Sequence, residues 1–275
     1  MRTTSRLPVL SSVVPRRTEH QATSRQPCGA RANLDDATGP GYRQDERMGV
    51  IYLVRHGQAG TDENGYGSLT ELGRQQARNV GAKLAARIPK VDFTVSGNLA
   101  RQLETIEEIV GQFPDSNAPA PVVNAGWNEY DLTRLAHTDV PPTGTSEEAA
   151  QAQRSFQRRL DASLLTWAAD EETTGPGSYV DYRESMLQAL EEIAAHAGPG
   201  QVAIAASSAG TIGAVVAHLW GISSENWPSV SRTMVNASIT KLIVGKSGIN
   251  VMSVNDHAHA DVDDDDGRRL MMTMR

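Results

Sequence analysis

Short apolar runs rich in β-branched residues alternate along this chain with longer stretches whose apolar positions recur every three or four residues. Val50–Val54 is the first such run and ends in Arg55-His56-Gly57. Thr70, a residue type that caps helices, opens a helical segment reaching about Ala86. Pro89 and Asp92 precede a second strand, Phe93–Ser96. Leu99, Leu103, Ile106, Val110 and Phe113 then mark one apolar face of a helix. Residues 130–180 break the rhythm: Pro, Gly, Thr and Glu abound, and only the piece around Phe156, Leu160, Leu164 and Trp167 is amphipathic. They read as an inserted helical region. A helix through Met186, Leu190 and Ile193 follows, Gly198-Pro199-Gly200 turns into strand Val202–Ala206, and Gly210–Trp220 is the next helix. Ile239–Val244 and Ile249–Val254, joined by Gly245-Lys246-Ser247-Gly248, read as a closing hairpin.

This alternation implies an α/β class, a three-layer α/β/α sandwich around a largely parallel sheet with the insertion over the strand ends. Ligands of such sheets gather beyond the carboxyl ends of the strands, where Arg55-His56 and Ser207-Ser208 both fall. With 275 residues, one domain with an insertion is expected over residues 48–260. Residues 1–47 are rich in Arg, Ser, Thr, Pro and Gln without apolar period; they read as a disordered tail or as a start placed ahead of Met48, although an acid-poor beginning also suits a transit peptide. Residues 261–275 form an acidic and then basic tail.

Charge narrows the range of partners. The first 47 residues carry eight Arg and no Lys against five acids, a local +3 in a chain whose formal charge is -7, so the remainder stands at -10. An acidic body argues against general nucleic-acid binding. No apolar run approaches the ~20 residues that cross a bilayer, so no membrane partner is expected. The single cysteine, Cys28, excludes an intrachain disulfide and a cysteine-cluster metal site and is compatible with a reducing, cytoplasmic setting.

A histidine directly after an arginine at a strand end suggests nucleophilic chemistry on phosphorus. Neutral imidazole can carry the phosphoryl group covalently and split one difficult displacement into two. The phosphoryl oxygens need fixed cationic donors, which guanidinium forks supply better than ammonium points. A carboxylic acid should protonate the departing oxygen and then activate water. Three blocks extend the signal: Ile51-Tyr52-Leu53-Val54-Arg55-His56-Gly57, then Leu69-Thr70-x-x-Gly73-x-x-Gln76-Ala77, then Ser96-x-x-Leu99-x-Arg101-x-x-x-Thr105.

In these blocks, and in their order, the chain resembles the histidine phosphatase (phosphoglycerate mutase-like) superfamily, over roughly Val50 to His259. The resemblance implies a phosphatase that hydrolyses a phosphomonoester through a phosphohistidine. His56 would be the nucleophile, Arg55 and Arg101 the phosphate ligands, and Glu129 the proton donor. It implies no metal or organic cofactor and a small phosphorylated substrate or phosphoprotein as partner. Asn255-x-x-x-His259 looks like the family's closing pattern. The chain departs at Ser207-Ser208-Ala209-Gly210, where the family supplies a second histidine: Ser208 stands in its place as a neutral phosphate ligand. Losing a charged donor there should slow catalysis about a hundredfold to a thousandfold.

Two other functions remain open at this level. Ser208 fits a catalytically silent relative that binds a phosphorylated ligand. Ala206-x-Ser208-x-Gly210 also follows a strand and opens a helix, as the nucleophile elbow of a serine hydrolase does, with Asp256 and His257 or His259 downstream. His257 or His259 is alternatively a candidate to reach the pocket and replace the missing histidine.

Overall fold

The computed structural model describes residues 48–62, 65–114, 117–138, 146–260 and 271–274, with backbone alone at 61, 62, 65 and 66. The proposed N-terminal extension and residues 261–270 of the tail lie outside the described residues. Strand β1 (Gly49–Arg55) leads into a hairpin, β2 (Ala59–Asp62) and β3 (Gly65–Leu69), then α1 (Glu71–Ala85), β4 (Phe93–Ser96), α2 (Ala100–Val110) and β5 (Val122–Val123). A 3₁₀ turn, Ala125–Trp127, precedes α3 (Leu132–Ala136), α4 (Glu147–Ala169) and α5 (Tyr179–Ala195). The chain closes with β6 (Val202–Ser207), α6 (Ala209–Trp220), α7 (Pro228–Ser231), β7 (Ile239–Gly245) and β8 (Gly248–Asp256).

Six strands make one sheet in the order β5-β4-β6-β1-β7-β8. β5, β4, β6 and β1 run parallel, whereas β7 pairs antiparallel with β1 and β8 antiparallel with β7 at one edge. The strands at the centre read as continuous apolar runs because both their faces are covered. Ile51 and Leu53 of β1, with Ala203 and Ala205 of β6, face the core built from α4, α5 and α6. Val54, Ile204 and Ala206 face the opposite core, built from α1 and α2. The two layers of helices thus follow directly from the period of two in β1 and β6.

The register places the strand ends side by side. Arg55 pairs with Ser207, and Ser96 with Ala206, so β1, β4 and β6 end in a row. The turns that follow these three strands, and the helices they start, therefore share one rim of the sheet.

The predicted strands and long helices fall where the pattern put them, with two exceptions. The β2–β3 hairpin, the two-residue strand β5 and the short helices α3 and α7 gave no periodic signal, being too short to show one. The buried face of α2 is also not the predicted one. Leu99, Leu103 and Val110 are only partly covered, while Arg101, Gln102 and Thr105 are buried beside Ile106 and Ile109. The amino-terminal half of α2 faces the rim of the sheet, where polar side chains find polar partners, and only its later turns meet the apolar core.

The second sequence block acquires a physical reading here. Thr70 Oγ1 accepts from Gly73 N–H as the cap of α1, and Gln76 Oε1 accepts from Gln58 N–H at 2.8 Å. A Cβ on Gly57 would lie 2.3 Å from the Gly73 carbonyl oxygen, and one on Gly73 would lie 2.0 Å from that of Gln58. Two glycines therefore let the turn after His56 press against the start of α1. The other end of the Gln76 amide donates to Met271 O and Thr273 Oγ1, so the last described residues are tied to this turn rather than free of the domain.

Candidate active site

His56 leaves β1 with its backbone fully engaged: its N–H donates to Ser207 O, and its carbonyl accepts from Ala237 N–H and the Asn236 side-chain amide. Its ring Nδ1 lies 2.7 Å from Gly57 O, a geometry in which Nδ1 carries the proton and Nε2 keeps its lone pair. Arg101 Nε donates to that Nε2 at 3.3 Å. Burial, then the guanidinium of Arg101, then that of Arg55, hold the imidazole well below its usual pKa. The ring is therefore neutral at physiological pH, with its basic nitrogen turned toward a cation.

Arg55 and Arg101, far apart in sequence, converge on this ring. Arg55 is anchored through a hydrogen bond from Nη1 to Met234 O. Asn255, with φ 55°, holds the same loop: its Oδ1 accepts from Val235 N–H and its Nδ2 donates to Thr233 O. Arg101 is set by its own helix, since Thr105 Oγ1 donates to Arg101 O while accepting from Gly57 N–H at 3.1 Å. One threonine thus locks the helix carrying the arginine to the turn carrying the histidine. The third block, with its offset of four between Arg101 and Thr105, is a description of this contact.

Glu129 comes from the loop after the 3₁₀ turn and reaches the amino end of α6, where its Oε2 accepts from Gly210 N–H at 3.0 Å. Burial raises its pKa above that of an ordinary carboxyl, against the opposing pull of that N–H and of Arg101. Its neighbour Tyr130 sits edge-on to Tyr182 and Trp227 and tilted against Trp167. This aromatic cluster is gathered from α4, α5 and the α6–α7 connection, and its Tyr130, Trp167 and Tyr182 line, with Glu129, a second cavity of about 190 Å³. The contact with α6 also requires glycine. A Cβ on Gly210 would meet Glu129 Oε1 at 2.2 Å and the Tyr130 ring at 2.3 Å. Gly210→Ala is expected to push the carboxyl and the packed Tyr130 ring off their seats, lowering turnover about ten- to a hundredfold and the melting temperature with it. Steady-state kinetics beside a thermal melt checks this.

Ser208 stands apart from this group. It is almost fully buried and its Oγ accepts from Gln102 Nε2 at 2.9 Å, while Gln102 also donates to Trp127 O. The cavity wall at this point is formed by Ala209 and Gly210. Ser208 has φ -116° and ψ 164°, the ordinary extended geometry of a residue ahead of a helix, not the strained turn of a nucleophile elbow. Neither downstream histidine is bonded to it: His257 Nδ1 pairs with Asn255 O, and His259 Nε2 with Ala237 O. Asp256 pairs with Lys83 at 3.3 Å. The hydrogen bonds of a serine triad are absent among the described residues. No three His, Cys, Asp or Glu side chains come together as metal ligands among the described residues. Likewise no described helix is long and apolar enough to cross a membrane.

His56, Arg55, Arg101 and Glu129 line one cavity of about 470 Å³. Its outer wall comes from the insertion: Phe156, Leu160 and Leu164 of α4 supply an apolar side, with Gln153, Arg154, Gln157 and Asp161 along the same helix. Ser231 and Arg232 also line it, with Arg232 paired to Asp161 of α4 at 3.0 Å, and Met274 contributes from the C-terminal segment. Gln102, Asn236, Arg154, Arg232 and Met274 carried no chemical signal in the sequence. Among the supporting residues, Gly57, Thr70, Gly73, Gln76 and Thr105 were visible there as members of the three blocks, and Gly210 and Asn255 in the later motifs.

The sequence matches the model of the histidine phosphatase superfamily, branch 1, over residues 51–257. The chain belongs to that superfamily. Among solved structures, mycobacterial hydrolase 1 superposes with a TM-score of 0.54 at 24% identity, over 77% of this chain and 100% of that one. Mycobacterial glucosyl-3-phosphoglycerate phosphatase, in complex with VO3, gives 0.52 at 25% identity over 75% and 98%. YhfR of Bacillus stearothermophilus gives 0.54 at 19% identity over 76% and 98%. No curated protein matches the sequence. The mixed, mostly parallel sheet flanked by helices is the phosphoglycerate mutase-like α/β fold of these structures, and superfamily membership together with phosphatases among the neighbours supports a phosphatase-type hydrolase.

Proposed function

We propose that this histidine phosphatase relative hydrolyses a phosphomonoester through a phosphohistidine on His56. The observation that carries the reading is the unprotonated Nε2 of His56, held 3.3 Å from Arg101 Nε in a cavity that also contains Arg55 and Glu129. In the first step Nε2 attacks phosphorus, the P–O ester bond breaks, and the Glu129 carboxyl gives its proton to the leaving alkoxide. In the second, the carboxylate takes a proton from water as that water attacks phosphorus, and the P–N bond electrons return to Nε2. Arg55 and Arg101 hold the phosphoryl oxygens throughout, where fixed donors in a desolvated cavity act most strongly. The chain needs no cofactor for this scheme. A cavity of this size suits a small phosphorylated molecule better than a folded phosphoprotein surface. A panel of phosphomonoesters assayed with wild type and His56→Ala tests the reading: release of phosphate by wild type supports it, and release that survives in the variant overturns it.

A second reading, a protein that binds phosphorylated ligands without turning them over, draws on Ser208. The hydroxyl is neutral and already engaged by Gln102. The same contact changes what a repair experiment should show. In the rotamer Ser208 holds, a histidine ring would occupy the volume of the Gln102 amide. Ser208→His alone is expected to lower the melting temperature and leave turnover no higher. Gln102→Ala with Ser208→His clears the space, and kcat/KM on nitrophenyl phosphate is expected to rise about a hundredfold. Ligand binding without turnover by the wild type over the whole panel would establish the second reading.

A further inference from the structure

We infer that Thr273 is a positioning residue for His56: its hydroxyl fixes, through Gln76 and Asn236, both ends of the turn that aims the imidazole. The inference rests on the phosphatase reading and adds to it a residue from the C-terminal segment. The ring of His56 is aimed by one peptide group. The Gly57 carbonyl accepts from Nδ1 at 2.7 Å, and the N–H of the same peptide plane, that of Gln58, donates to Gln76 Oε1 at 2.8 Å. A peptide is planar, so whatever holds its N–H also sets the direction of its carbonyl. One residue earlier, the His56 carbonyl accepts from Asn236 Nδ2 at 3.1 Å. The two amides, one on α1 and one in the loop before β7, meet at a single hydroxyl. Thr273 Oγ1 accepts from Gln76 Nε2 at 2.9 Å and donates to Asn236 Oδ1 at 3.0 Å.

The direction of these bonds is forced. A side-chain amide has one accepting and one donating end. Gln76 turns Oε1 to Gln58 and therefore presents Nε2 to Thr273, while Asn236 turns Nδ2 to His56 and presents Oδ1. What stands between them must accept on one side and donate on the other, as a hydroxyl does and a methyl does not. Both amides are buried, Gln76 at 1% and Asn236 at 0% exposure, so bulk water does not replace a lost bond. Removing the hydroxyl takes away the group that selects both amide orientations, and a turned Asn236 would aim Oδ1 at the His56 carbonyl. The segment itself stays docked through its backbone: Met271 O accepts from Gln76 Nε2, and Thr273 O from Asn236 N–H, each at 2.8 Å. Thr273→Val therefore deletes the relay and keeps the fold around it.

Two variants, compared at a temperature where thermal melts show both folded, test this. Thr273→Val is expected to lower kcat for a phosphomonoester about ten- to a hundredfold with KM within about twofold, because Arg55 and Arg101 are untouched. Thr273→Ser, which keeps the hydroxyl, is expected to stay within about threefold of wild type. A second readout needs no turnover. The ¹⁵N imidazole signal of His56, assigned by its loss in His56→Ala, is expected to report a single tautomer, protonated at Nδ1, in wild type and Thr273→Ser at neutral pH. In Thr273→Val it is expected to report a mixture of both tautomers. If no ester is hydrolysed, the phosphatase reading fails, and the tautomer signal alone decides the role of Thr273. A Thr273→Val protein with wild-type kcat and a single His56 tautomer, whatever its melting temperature, would reduce the residue to a structural tie and overturn the inference. So would a loss in Thr273→Ser as large as that in Thr273→Val.

Discussion

His56→Ala is expected to lower phosphate release by three to six powers of ten, because it removes the atom on which the phosphoryl group rests; deleting a nucleophile elsewhere has cost about 10⁶ in kcat. The variant should fold. The backbone contacts of residue 56, to Ser207, Ala237 and Asn236, do not involve its ring, and the ring itself is held neutral at a cost of burial beside two cations. The same substitution has a covalent readout. Rapid acid-free quenching of wild type with a ³²P-labelled ester should leave label on the protein that is stable in base and lost in acid, as a P–N bond requires. No label should appear on His56→Ala. Label of ester-like stability, or label persisting in the variant, would place the nucleophile elsewhere.

Glu129→Gln should produce the second largest loss, about 10²- to 10⁴-fold in kcat for an alkyl phosphate. The effect should be much smaller for nitrophenyl phosphate, whose leaving group departs without a proton, and that contrast separates proton donation from a general disturbance of the site. The pH dependence follows from the direction of the shifts. Burial raises the Glu129 pKa, so the acid form that the first step needs persists to higher pH than for an ordinary carboxyl and is lost as pH rises through that value. Burial with two guanidinium groups lowers the His56 pKa, so the neutral nucleophile persists to lower pH than an ordinary imidazole and is lost as pH falls through it. Wild-type kcat/KM should therefore fall on the alkaline side through the Glu129 ionisation. In Glu129→Gln that limb should vanish while the acid limb stays. An alkaline limb unchanged in the variant would assign it to another group.

The supporting structure ties the catalytic groups to one another. Thr105 bridges the Arg101 helix and the His56 turn, Gly57 and Gly73 let that turn touch α1, and Gly210 makes room for Glu129. Loss of the Thr105 hydroxyl should alter rate before stability, whereas a Cβ at Gly57 or Gly73 meets backbone and should lower both.

The amino-acid order by itself determined the fold class, the two-sided burial of β1 and β6, and the candidates His56, Arg55, Arg101 and Glu129. The fold class follows from local periodicity, His56, Arg55 and Arg101 from contiguous blocks, and Glu129 from the family resemblance that those blocks carry. It determined Ser208 as a departure, but not what becomes of it. The tertiary structure alone decided that Ser208 faces Gln102, that α2 buries its polar amino-terminal residues, and that Glu129 rests on Gly210. It alone brought α4, Arg232 and Met274 around one cavity. The physical reason is common to all of these. A residue's spacing along a helix or strand states which neighbours share its face, whereas packing between elements selects what that face meets, and the polar partner of a buried group lies as far as two hundred positions away in sequence.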